Sequence, residues 1–204
     1  MFDRVENGHG SLFYLSDVSD TTRSCDVPVS ARIYSVDTRT PRHSFGLLVF
    51  RRTDGAASIE GGSLGGIEVL IAHPGGPLWA RKDDGAWSVP KGLPEADESP
   101  LDTARREFAE EIGHAAPQGE VVELGDVRQK SGKVVTAFAV EGDVDVDTVV
   151  SNTFEMMWPP RSGRMQTFPE VDRAQWCGLD EARVKLHPAQ AEFVDRLESA
   201  LGKQ

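Results

Sequence analysis

The chain has 204 residues, of which 39% are hydrophobic and 27% charged, with a formal net charge of −11. This is the profile of a soluble globular protein large enough for one domain and an extension. A field of that sign repels phosphate backbones and excludes an extended nucleic acid track, although bound cations and a few local bases still permit phosphate chemistry inside a pocket. No run approaches the roughly 18 apolar residues of a membrane span, and Asp3 and Glu6 stand where a signal peptide would be basic, so a cytoplasmic protein without membrane contact is expected. Cys25 and Cys177 lack CxxC spacing, which argues against a zinc site or disulfide framework and for two free thiols.

Residues 1–43 are rich in Ser, Thr, Asp and Arg around one apolar patch, Leu12 to Leu15. They read as an N-terminal extension, either flexible or adding a short strand to the core. The domain proper is expected over 44–204. Gly46 to Phe50 and Ile67 to Ile71 are buried-strand candidates, separated by a Gly- and Ser-bearing loop from Asp54 to Gly66. His73-Pro74-Gly75-Gly76-Pro77 is a turn signal. Val121 to Val127 and Val134 to Val140 read as two strands joined by Gln129 to Lys133. Leu179 to Leu201 reads as one or two helices, with Phe193, Val194, Leu197 and Leu201 at helical spacing and Pro188 in a first turn. Strands, helix, strands and helix predict an α+β sandwich with a mixed sheet.

The segment from Gly92 to His114 carries the chemistry. Ser99 can cap a helix, Pro100 suits its first position, and Gly113 can end it in the left-handed region. At about 100° per residue, Leu101, Ala104, Phe108 and Ile112 form one stripe. Glu107, Glu110 and Glu111 form the adjoining one. Three carboxylates so placed repel, and a hard divalent cation relieves this: an oxygen-only set favours Mg²⁺, with Mn²⁺ second, over zinc. An acidic helix face is more often simply solvated, so the wider spacing decides.

Gly92, Glu98, Arg106-Glu107-Phe108, Glu110-Glu111 and Gly113 reproduce the pattern GX5EX7REUXEEXGU, where U is bulky and apolar. From about Pro41 to the C-terminus the chain resembles the Nudix hydrolases; His114 departs at the final apolar slot. The resemblance implies an α/β/α sandwich with the box as a loop-helix-loop. It implies divalent-ion binding by Glu107, Glu110, Glu111 and the Gly92 carbonyl, with Arg106 orienting the carboxylates and Glu98 bracing the loop by pairing with Arg106. It also implies attack of a metal-activated water on one phosphorus of a diphosphate. The general base is either Glu107 or a later carboxylate, Glu170 or, as a rival, Glu155.

Trp87 to Gly92 resembles the WxxPKG lead-in of Nudix enzymes acting on diadenosine polyphosphates, and the hairpin bearing Arg128, Lys130 and Lys133 resembles theirs. Lys91, Arg128, Lys130, Lys133 and Trp87 are therefore the substrate-binding candidates, the lysines as point charges for phosphates. Trp79, Trp87 and Trp158 are stacking candidates, although packing is the commoner fate of Trp. Arg161 and Arg164 form a basic loop, and His73 and His114 read as structural. The expected activity is Mg²⁺-dependent cleavage of a dinucleoside polyphosphate, or of a nucleoside triphosphate, by a monomer or homodimer. The alternatives are a Nudix-fold sensor that binds a nucleotide without cleaving it, and RNA 5′-end processing.

Overall fold

In the computed structural model, the described residues are 43–53 and 66–203. The central strand, β1 (His43–Arg52), buries seven consecutive residues, as a strand covered on both faces must. Its alternation divides the core. Phe45, Leu47 and Val49 point to one side, and Leu48 and Phe50 to the other.

β1 runs antiparallel to β2 (Ile67–Pro74) and parallel to β5 (Val134–Glu141). With the short β3 (Lys91–Gly92), β4 (Val121–Arg128) and β8 (Val171–Gly178), they form a mixed sheet in the order β4-β5-β1-β2-β8, with β3 paired to β1. The turn from β4 to β5 closes where expected: Gln129 N–H donates to Lys133 O at 2.8 Å, and Gly132 adopts φ 87°.

Helix α1 (Pro100–Ile112) covers one face, setting Ala104, Phe108 and Ile112 among Phe45, Leu47, Val49 and Leu70. Helices α2 (Leu179–Lys185) and α3 (Ala191–Leu201) cover the other, where Phe193, Val194, Leu197 and Leu201 join Leu48, Phe50, Val69 and Ile71. Truncating a fully buried ring such as Phe108 to Ala would cost about 3–5 kcal/mol, so α1 is held to the sheet by its apolar stripe, and its acidic stripe lies half-buried at the edge of that contact. The α/β/α sandwich implied by the sequence is the observed fold.

Three features differ from expectation. Residues 179–201 form two helices, as one of the two readings allowed, but Pro188 lies in the link between α2 and α3 rather than in a first turn. Strand β8 occupies a segment with no clean apolar alternation. A separate hairpin, β6 (Thr153–Met157) with β7 (Met165–Pro169), stands apart from the main sheet. The extension and the 54–65 loop lie outside the described residues, except that β1 already starts at His43. Among the described residues no helix is long and apolar enough to cross a membrane.

Candidate active site

Helix α1 is positioned at both ends by its own sequence. Ser99 Oγ accepts the Asp102 N–H at 3.2 Å, satisfying an orphan donor of the first turn. Gly113 takes φ 79°, and its N–H donates to Ala109 O at 2.9 Å. A Cβ there would lie 2.5 Å from Val150 O, so both conformation and space call for glycine.

Arg106 organises the acidic face. Its Nε donates to Glu98 Oε1 at 2.9 Å and its Nη2 to Glu98 Oε2 at 3.0 Å and to Leu93 O at 2.9 Å. Its Nη1 bridges Glu107 Oε1 at 3.0 Å and Glu110 Oε1 at 3.1 Å. A guanidinium has five N–H donors, and each meets an acceptor. The Glu98 hydrogen bonds raise the Arg106 pKa above its ordinary value, so the cation is permanent. In return Arg106 holds the Glu98 carboxyl down to about 2, helped by the Glu95 N–H and the Thr103 hydroxyl.

Glu107 fits against the bare backbone of Gly92. A Cβ at position 92 would lie 2.0 Å from the Glu107 Cδ and Oε2 atoms, so glycine makes the room that this carboxylate fills. On β3, the N–H of Lys91 donates to Glu111 Oε2 at 3.1 Å. Burial pushes the Glu111 carboxyl up to about 7, opposed by Lys91 and reinforced by the charges of Glu107 and Glu170. Burial also raises Glu107, partly offset by Arg106. Glu170, at the junction of β7 and β8, is exposed, and its charge reaches both Glu107 and Glu111. Glu155, by contrast, lies on the exposed side of β6 opposite Thr167.

Glu107, Glu110, Glu111 and Glu170 are thus neighbours in one acidic region, with a single arginine fixed there by Glu98. Among the described residues no three His, Cys, Asp or Glu side chains converge on a common ligand point. Arg106 holds Glu107 and Glu110, and Glu111 turns to the Lys91 amide. The donor chemistry nevertheless fits a hard divalent ion: the set is all oxygen, it carries excess negative charge, and Gly92 opens a place for the central carboxylate.

The sequence-derived substrate residues separate into two groups. Lys91 and Lys130 both act electrostatically on His187, whose pKa is lowered first by burial and then by these two lysines. Sequence reading missed His187: a lone histidine before a proline carries no signal of what surrounds it. Arg128 folds back on its own hairpin, with Nη1 3.4 Å from Gly132 O, and Lys133 lies half-buried beside it.

Trp87 does not fit the expected role. It is 1% exposed, its indole N–H donates to Asp83 at 2.6 Å, and Arg173 and Lys185 each stand 5.3 Å from its ring centre. No face of it is open to a substrate. Trp79 is partly exposed beneath Lys82, and Trp158, Arg161 and Arg164 belong to the β6–β7 turn. His73 is structural: its buried ring meets Asp172 Oδ1 at 2.6 Å and Lys82 O at 2.9 Å. His114 is paired with the Thr148 hydroxyl at 2.8 Å.

Comparison with known proteins agrees with this architecture. A Caenorhabditis elegans protein named "Putative nudix hydrolase 6" is 26% identical over 125 residues, 59% of this chain, and the aligned part spans 46% of that relative's length. The NUDIX domain of Shewanella oneidensis NrtR, solved with ADP ribose, superposes with a TM-score of 0.52 at 16% identity over 80% of this chain and 90% of that one. A C. elegans Ap4A hydrolase gives 0.49 at 18% identity over 79% and 99%. The NUDIX domain family model matches residues 40–197, and the chain belongs to that family.

Proposed function

We propose that this chain is a divalent-cation-dependent pyrophosphohydrolase that cleaves a phosphoric anhydride in a nucleotide. Dinucleoside polyphosphates are the first substrate class and nucleoside triphosphates the second. The observation that carries the reading is the Glu107 carboxylate seated against Gly92 and tied to Arg106 within a cluster of four acids.

Mg²⁺, with Mn²⁺ as its substitute, would be held by Glu107, Glu110, Glu111 and the Gly92 carbonyl, and when bound supplies Lewis acidity and an acidified water. Arg106 fixes Glu107 and Glu110 through one nitrogen, so their orientation costs little reorganisation during reaction. Glu98 anchors Arg106 to the loop, so that the guanidinium presents only Nη1 to Glu107 and Glu110. Glu170, exposed and not tied to Arg106, takes the proton of the attacking water. Lys91 and Lys130 neutralise phosphate oxygens remote from the attacked phosphorus, as does Lys133 at the hairpin base. The intact acidic set favours an enzyme over a sensor.

The test is a product-resolved panel of diadenosine polyphosphates, nucleoside triphosphates, ADP-ribose, NAD and 5′-triphosphate RNA, run in H₂¹⁸O with Mg²⁺ or EDTA. Metal-dependent cleavage with ¹⁸O in one phosphate product is expected, and the labelled product identifies the attacked phosphorus. Tight binding of one compound without cleavage of any would make the chain a sensor.

A further inference from the structure

We propose that the apolar cavity on the Glu170 side of the carboxylates receives an uncharged aromatic ring of the substrate, a nucleobase, and thereby sets the direction in which the substrate lies. This rests on the anhydride-cleaving reading above. The cavity, about 200 Å³, is lined by Gly75, Gly76, Leu78, Trp79, Phe154 and Met156.

Its position follows from the chain. The Gly75 N–H donates to Glu170 O at 2.8 Å. A Cβ at position 75 would lie 2.1 Å from Pro169 O, so the loop after β2 is pressed onto the β7–β8 junction. The carboxylate of that same Glu170 acts on Glu107 and Glu111. Glu170 N–H in turn donates to Asn152 O at 2.8 Å and Asn152 N–H to Glu110 O at 3.0 Å, so backbone hydrogen bonds tie the cavity wall to the helix that bears the carboxylates.

The lining determines what can enter. It contains no charged side chain, and Leu78 and Trp79 are 58% and 36% exposed. Phosphate would lose its hydration there without compensation, whereas a flat ring gains stacking and apolar contact. Lys82 Nζ stands 4.4 Å from the Trp79 ring centre. Gly76, at φ 85°, lets the Phe154 ring approach the bare backbone, since a Cβ would come within 3.1 Å of Phe154 Cζ. Beside the carboxylates the chemistry is the opposite: the Lys91 N–H meets Glu111 Oε2 at 3.1 Å, and the charges of Lys91 and Lys130 both reach His187. The apolar lining thus suits the ring, and the lysines near the carboxylates suit the phosphate chain.

The experiment compares wild type, Trp79→Ala and Leu78→Ser, whose side chains are exposed, with far-UV circular dichroism as the folding control. Adenosine binding is measured calorimetrically in EDTA, kcat and KM for diadenosine tetraphosphate in Mg²⁺, and inhibition by inorganic tripolyphosphate alongside. Trp79→Ala should weaken adenosine binding and raise KM about tenfold, with kcat and tripolyphosphate inhibition nearly unchanged. If wild type cleaves nothing, the hydrolase reading fails, yet loss of adenosine binding in Trp79→Ala would still support the ring site. Unchanged adenosine binding and KM in both variants would overturn it. So would an effect on oligomeric state alone, which would mark the patch as a contact between copies of the chain.

Discussion

Arg106 and Glu98 form a two-point pair, Nε to Oε1 at 2.9 Å and Nη2 to Oε2 at 3.0 Å, that ties the loop after β3 to the helix bearing the carboxylates. The Glu98 carboxyl, held at about 2 in the folded chain, ionises near its ordinary value of about 4.3 when unfolded. Its stabilisation is therefore complete above the unfolded value and fades as pH falls toward 2. Glu98→Gln should lower stability at pH 7 by about 1–3 kcal/mol. The gap to wild type should narrow between pH 5 and pH 3, measured by urea unfolding at each pH. A gap that widens on acidification would refute the pair's role.

Two glycine substitutions should behave differently. Gly92→Ala meets the flexible end of Glu107, which can move aside, so the fold should survive with under about 1 kcal/mol lost. The displaced carboxylate should reduce kcat about 100-fold. Gly46→Ala instead places its Cβ 2.8 Å from Pro90 O, which is backbone, and should cost about 1–3 kcal/mol of stability. Thermal midpoints and kcat of the two variants, measured together, separate the two effects.

Trp87→Phe should destabilise by about 1–3 kcal/mol, through the lost hydrogen bond to Asp83 and a void beside His73. KM and kcat should remain within twofold of wild type. A large rise in KM with an unchanged melting temperature would return Trp87 to the substrate.

Lys130 is exposed on the β4–β5 turn, and its charge is felt at His187 together with that of Lys91. Lys130→Ala should raise KM for diadenosine tetraphosphate about fivefold, the worth of roughly 1 kcal/mol under water-like screening, and flatten its salt dependence. Steady-state kinetics at two ionic strengths provide the check.

The helix was legible because each part of it is a local signal: Ser99 and Pro100 start it, Gly113 stops it, and apolar and acidic residues fall on separate stripes. The Glu98–Arg106 pair was legible only through the family pattern, since it bridges a turn and a helix. The β6–β7 hairpin was hidden because on its two strands only Phe154, Met156 and Phe168 are even half-buried. β8 was hidden because only Val171 and Cys177 are buried, and charged residues break its alternation. Trp87 was misassigned because sequence places a tryptophan beside a motif without showing which way its ring turns.

The central claim is that this carboxylate cluster performs metal-dependent anhydride cleavage. The most direct measurement is the rate of diadenosine tetraphosphate and nucleoside triphosphate cleavage by wild type and Glu111→Gln, each in Mg²⁺ and in EDTA. The account predicts turnover by wild type only with the ion, and a loss of at least about 1,000-fold, or roughly 4 kcal/mol of barrier, in the variant. Turnover that persists in EDTA, or equal rates for Glu111→Gln and wild type, would contradict it.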